Sequence, residues 1–217
     1  TYDMEGNRTS ITDANGGMTQ YFYDSLNRLI KTVDALNNQT LFNYDPNGNL
    51  ISKIDANNNT INYTYDILNR LVKKQYPDST QETFAYDARG NMLSAANPAI
   101  SYSYTYNPLG RLTEVLDSNN RSLTYEYDPA GNRVKMTTPE GKSVNYGYDY
   151  ANRLTSIIDI YGGSTQYTYD SLGRRTKAVL PNGVEASYNY DSLNNLLSLV
   201  NKTQNGSIIS SYAYEYD

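Results

Sequence analysis

Aromatic rings recur in this chain two residues apart, as in "QYFYD" (20–24), "LFNYD" (41–45) and "NYTYD" (62–66). That spacing puts both rings on one face of a β-strand, whereas a helix would turn them about 200° apart. The first rings are Tyr21, Phe42, Tyr63, Phe84, Tyr104, Tyr125, Tyr146, Tyr167, Tyr188 and Tyr214. Between these strands lie second apolar–polar runs such as "LIKTVD" (29–34) and "LISKID" (50–55), which also read as short strands. No apolar run is long enough to cross a membrane as a helix, and none has the form of a signal peptide.

The pattern has a fixed period. A Tyr-Asp pair begins at Tyr2, Tyr23, Tyr44, Tyr65 and Tyr86, in steps of 21 residues. It continues at Tyr106 (with Asn107 in the Asp place), Tyr127, Tyr148, Tyr169 and Tyr190, with one step of 20. Tyr216 follows after 26, the extra residues lying around "NKTQNGS". The chain therefore reads as a single array of ten repeats over residues 1–217. It begins and ends inside the repeat, which predicts a segment of a longer protein.

Turn chemistry divides each repeat in two. The fourth residue of each Tyr-Asp turn, counted from the Asp, is Gly or Asn: Gly6, Asn27, Gly48, Asn69, Gly90, Gly110, Gly131, Asn152, Gly173 and Asn194. Asp at the first position, optional Pro at the second and Gly or Asn at the fourth predict a type I turn closed by a left-handed bulge. The same grammar returns halfway, at Asp13, Asp34, Asp55, Asp117 and Asp159, and with Pro second at Pro77, Pro139 and Pro181. The predicted fold is all-β, a long antiparallel meander with about two strands per repeat.

Register follows from the bulge. Tyr23 is expected beside Leu29, Tyr65 beside Leu71 and Tyr148 beside Leu154 on one face. Asp24, Asp66 and Asp170 are expected opposite Arg28, Arg70 and Arg174 on the other, wet face. Paired rings are expected to form the core, each contributing up to about 4–6 kcal/mol of gross transfer energy. Right-handed twist of about 20–25° per strand should make so long a sheet coil into a spiral, curl into a tube or split.

Composition narrows the chemistry. Of the aromatics, 24 are Tyr, three are Phe and none is Trp, and the mean hydropathy of −0.69 is polar. Eighteen basic against 23 acidic residues give a net charge of −5, with no basic stripe, so a nucleic-acid partner is not expected. The chain has neither His nor Cys, which excludes disulfides, thiolate metal sites and the commonest nucleophile–base pairs.

The strings "YFYDSLNRLIKTVDA", "YNPLGRLTEVLDS", "YDPAGNRV" and "YTYDSLGRRTKAVLPNG" resemble the YD repeats of the RHS (rearrangement hot spot) family, over essentially the whole chain. The resemblance implies a β-strip spiralling into part of a hollow shell. Such shells enclose a toxic C-terminal domain in insecticidal Tc toxins and bacterial polymorphic toxins. In teneurins a similar barrel serves cell-surface adhesion, and other members are wall-associated or linked to carbohydrate binding. The toxin members end their shell with an Asp-Pro-x-Gly-Leu type segment for self-cleavage. Here "DPNGN" at Asp45 and "DPAGN" at Asp128 lack the Leu and read as hairpin turns.

Candidate sites are few. Nearly every Asp is accounted for as a turn starter, so no catalytic residue is assigned. "DANNN" (55–59) opens like a Ca²⁺ loop but lacks the Gly and bidentate Glu that complete one, so no metal or other cofactor is assigned. Tyr76, Tyr150 and Tyr161 fall outside the ring pairs and are the candidates for stacking on glycans. Sequons at Asn7, Asn38, Asn58, Asn62, Asn120, Asn201 and Asn205 lie mostly in turns and accord with an Asn- and Thr-rich composition.

The expectation is a non-enzymatic structural segment of a secreted or cell-surface protein, forming shell wall that encloses or displays another domain. Its alternatives are the unit of an extracellular filament, tiling through unpaired end strands, and a carbohydrate-binding adhesin. Expected partners are other repeats or copies of the same chain, with an enclosed C-terminal domain and glycans as further candidates; membrane insertion is not expected.

Overall fold

The computed structural model describes residues 1–217, which form two compact units, Thr1–Tyr104 and Thr105–Asp217. The first carries β1 (Ser10–Thr12), β2 (Met18–Tyr23), β3 (Leu29–Val33), β4 (Gln39–Tyr44), β5 (Leu50–Ile54), β6 (Thr60–Tyr65), β7 (Leu71–Gln75), β8 (Gln81–Tyr86), β9 (Met92–Ala96) and most of β10 (Ser101–Tyr106). The second carries β11 (Leu112–Asp117), β12 (Ser122–Tyr127), β13 (Arg133–Thr137), β14 (Ser143–Tyr148), β15 (Leu154–Ile158), β16 (Ser164–Tyr169), β17 (Arg175–Val179), β18 (Glu185–Tyr190), β19 (Leu196–Lys202) and β20 (Ile208–Ala213). There is no helix, and within each unit every strand pairs antiparallel with its sequence neighbours. The all-β meander read from the sequence is the fold that forms, at two strands per repeat.

Turns form as their residues demand. All ten fourth-position residues after Tyr-Asp have positive φ, from 59° at Asn27 to 101° at Gly131. In a representative hairpin Asp24 N–H donates to Arg28 O at 3.0 Å and Asn27 N–H donates to Asp24 O at 3.0 Å. Asp24 Oδ1 accepts from the Leu26 and Arg28 backbone N–H groups at 2.9 and 3.0 Å, which closes the turn on the carboxylate. Ser79, at φ 69°, fills the left-handed place in the turn opened by Tyr76, where other turns use Gly or Asn.

The register matches the expectation: Tyr23 opposes Leu29, Tyr65 opposes Leu71 and Tyr148 opposes Leu154. A second irregularity accompanies each of these pairs. Phe22 opposes Lys31 while Tyr23 opposes Leu29, so Ile30 is an extra, bulged residue. Ile51, Val72 and Leu93 are its counterparts in the next hairpins of this unit. Such a bulge sharpens local twist and sets the ring pair across a wider span of its partner strand.

The single 20-residue step is confined to one turn. Asn97-Pro98-Ala99-Ile100 closes through Asn97 N–H to Ile100 O at 2.9 Å, without the left-handed residue of the longer turns. The longer final step is shared between β19, which runs for seven residues and pairs with β20 over Ser198–Lys202, and the residues between the end of β20 and Tyr216.

The expectation of a ring-built core needs correction. Only Ala178 (6% exposed) and Asp117 (8%) are buried, and no large side chain is fully enclosed. Rings from Tyr21 to Tyr190 are mainly half-buried. Strands meet only sequential neighbours within each unit, so rings pack side by side along one sheet layer and nothing covers their outer surface. The gross transfer energy assigned to a fully buried ring is correspondingly too large.

Candidate functional site

The chemistry of the sheet is concentrated where one repeat touches the next. The tyrosine before each turn Asp reaches backwards across the preceding repeat. Tyr44 Oη donates to Leu29 O at 2.9 Å, Tyr65 to Leu50 O at 3.0 Å and Tyr86 to Leu71 O at 3.1 Å. In the second unit Tyr127, Tyr148, Tyr169 and Tyr190 donate to the carbonyls of Leu112, Arg133, Leu154 and Arg175 at 2.8 to 3.1 Å. The span is 15 residues in every case. Each of these residues pairs with the preceding strand but lies beyond the last pair made with the following one, so the hydroxyl satisfies an acceptor that the second ladder leaves out.

Arginine reaches forwards. Arg70 Nε and Nη2 hold Asp66 Oδ2 at 2.7 Å, Nη1 donates to Asp87 O of the next turn at 2.8 Å, and the guanidinium carbon lies 4.8 Å from the Tyr86 ring centre. Arg28, Arg153 and Arg174 repeat this arrangement toward the following repeat. The Asp–Arg pairs were expected on the wet face, away from the rings. The ion pairs form, but the guanidiniums lie over the rings, because a planar cation gains both a π-face and a carbonyl there. Where Asn replaces Arg, its amide bridges instead: Asn49 Nδ2 donates to Asp45 Oδ2 at 2.9 Å and to Asn69 Oδ1 at 2.8 Å. Arg111 follows Asn107 rather than Asp, and its buried Nε is left without a partner.

These contacts tune the titrating groups. Asp24 and Asp66 are held below the ordinary carboxylate range, chiefly because the Arg28 and Arg70 backbone N–H groups donate to them. Asp45, Asp55 and Asp87 are lowered chiefly by side-chain donation from Asn49, Asn59 and Asn91. Burial pushes the Tyr44 and Tyr65 hydroxyls up.

The sequence candidates do not converge on one site. Asp55 accepts from Asn57 N–H at 2.8 Å, Asn59 N–H at 2.9 Å and Asn59 Nδ2 at 3.0 Å, so the calcium-like string folds as a turn around its own carboxylate. Tyr76 is half-buried in the first unit, donates to Glu82 Oε1 at 2.7 Å and lies under the Lys74 ammonium at 4.5 Å. With Lys53, Asp55 and Asp78 it lines an open groove of about 570 Å³. Tyr150 and Tyr161 are exposed in the second unit, on turns at opposite ends of its strands.

The hydroxyl ladder was missed at the sequence level, yet its signal is present. The first ring of a pair is Tyr or Phe, as Phe42 and Phe84 show, whereas the second is Tyr in every repeat. Phe provides the same burial, so an unbroken Tyr calls for the oxygen. The forward reach of Arg leaves no such mark, because the Asp four residues earlier already accounts for it.

Residues 1–144 match the Teneurin YD-shell family, and residues 148–185 and 169–207 match the RHS repeat. No curated protein matches the sequence. Among solved structures, a chain of the TcdB2-TccC3-Cdc42 complex is similar at TM-score 0.57 and 18% identity over 95% of this chain. A chain of TcdB2-TccC3-TEV is similar at TM-score 0.50 and 15% identity over 98%. A chain of the Photorhabdus luminescens Tc holotoxin pore follows at TM-score 0.39 and 13% identity over 93%. At these identities the likeness to the first two is one of fold. This chain spans 12%, 15% and 17% of those three chains.

Proposed function

Because the chain belongs to the YD-shell family, we propose that it is a length of structural wall: a non-enzymatic strip in a secreted or cell-surface protein that encloses or displays another domain. Residues 1–217 act in this reading as one continuous array, with further repeats of the same protein as their partners. The observation that supports it is the direction of the hydrogen bonding. Tyrosine hydroxyls, arginine forks and asparagine amides, which elsewhere recognise ligands, are spent here on the neighbouring repeat. Side chains committed to self-contact build a wall rather than a site.

The test is electron microscopy of the native full-length protein. Closed hollow particles with internal density are the expected outcome. Uniform threads would overturn the wall reading in favour of a filament.

A further inference from the structure

In the second unit the residue beside each ladder tyrosine is Leu at 154 and 196 but Arg at 133 and 175. Leu in these places buries apolar surface at no desolvation cost, and an arginine forgoes that gain. Both arginines are exposed, and each is held between rings of successive repeats. The Arg133 guanidinium carbon is 5.6 Å from the Tyr125 ring centre and 5.0 Å from that of Tyr146. Arg175 is 5.7 Å from Tyr167 and 4.8 Å from Tyr188, and its Nη2 donates to Tyr188 Oη at 3.2 Å.

Neither arginine meets a carboxylate. Strand alternation from β12 to β18 places Glu126 and Glu185 on the opposite face, where they pair with Lys135 and Lys177. The strand positions that share the ring face are otherwise apolar, aromatic or hydroxyl-bearing, so these are its two strand-borne charges. Of the turn arginines that also lie over its rings, Arg153 and Arg174 are already paired with Asp149 and Asp170, and Arg111 donates to Asp128 O. Clamped between rings in apolar surroundings, a guanidinium has already lost much of its side-chain freedom and is weakly hydrated, which favours a planar anion.

Four strand steps separate the two cations, about 19 Å. An extended polypeptide covers that distance in about six residues. We propose that this face of the second unit docks an acidic polypeptide segment in extended form, with carboxylates about six residues apart on Arg133 and Arg175 and apolar side chains on the strip between them. The charge pattern favours this occupant. A polyanionic sugar or nucleic-acid backbone would set charge against the apolar strip between the two cations, where the one arginine over a ring, Arg153, is already paired with Asp149.

The test uses the 217-residue chain and a labelled peptide with glutamates at its second and eighth positions and Leu and Phe between, followed by fluorescence anisotropy. Arg133→Leu/Arg175→Leu is expected to weaken binding about tenfold or more, and replacing the peptide's glutamates by glutamine should do the same. Leu is what neighbouring repeats carry, so the variant's thermal midpoint should be unchanged or higher, separating lost docking from lost fold. Equal binding by the double variant, or no binding by the native chain at millimolar peptide, would overturn the proposal. So would charge-dependent binding of heparin in place of the peptide.

Discussion

Replacing Tyr65 by Phe removes one oxygen and nothing else. The ring stays beside Leu71, and what disappears is the 3.0 Å bond to Leu50 O. A neutral hydrogen bond contributes about 0.5–1.5 kcal/mol net, and the acceptor left behind lies beyond the last residue of β5 that pairs with β6, so a loss of about 1 kcal/mol is expected. The control is Tyr63→Phe, one ring earlier on the same strand, in a place that Phe42 and Phe84 fill elsewhere. Urea unfolding followed by far-ultraviolet circular dichroism should lower the midpoint for Tyr65→Phe, hold the slope, and leave Tyr63→Phe near the parent. Successive ladder tyrosines are two strands apart, about 9.5 Å, so Tyr44→Phe, Tyr65→Phe and Tyr86→Phe together should cost about 3 kcal/mol, the sum of the singles. If Tyr65→Phe and Tyr63→Phe agree within about 0.3 kcal/mol, the hydroxyl ladder is not a source of stability.

Asn107→Asp should give Arg111 the carboxylate that Asp66 gives Arg70, raising the thermal midpoint by a few degrees for about 1 kcal/mol, and a fall would refute the pairing. Ser79→Gly relieves a left-handed serine at φ 69° and should stabilise by about 0.5–1 kcal/mol in urea titration. Leu71→Asp sets a charge against Tyr65 and should cost about 2–3 kcal/mol, read from the same titration. Stability should be flat from about pH 5 to 9. The depressed turn carboxylates contribute above their ordinary pKa, and that contribution is lost as pH falls through their lower folded values. The raised Tyr44 and Tyr65 contribute below about pH 10, and that is lost as pH rises through their higher folded values; a midpoint change between pH 6 and 8 would contradict both assignments.

Much of the fold was legible because it is local. Ring spacing, turn grammar and the Tyr65–Leu71 register each follow from fewer than a dozen residues. What escaped lies between repeats. The bulge at Ile30 changes no residue type, and the seat of Arg70 on Tyr86 depends on how one hairpin lies against the next. Half-burial of the rings was also hidden, since composition cannot tell a covered sheet face from an open one. The two ring-clamped arginines could have been found by aligning the repeats with one another, where they, with Arg8 and Met92, interrupt a column of leucines.

The side-chain links between repeats described above join residues 13 to 20 apart, within one period of the chain. Structural information therefore travels about one unit and stops, as in a one-dimensional lattice with nearest-neighbour coupling. Duplication or loss of a whole 21-residue unit by recombination would hand each flanking copy a neighbour of the kind it already had. Length is then a free variable for a gene of this design, adjustable one period at a time, whereas an insertion of half a period would add a single strand, reverse every strand after it and break the tyrosine and arginine links across the junction.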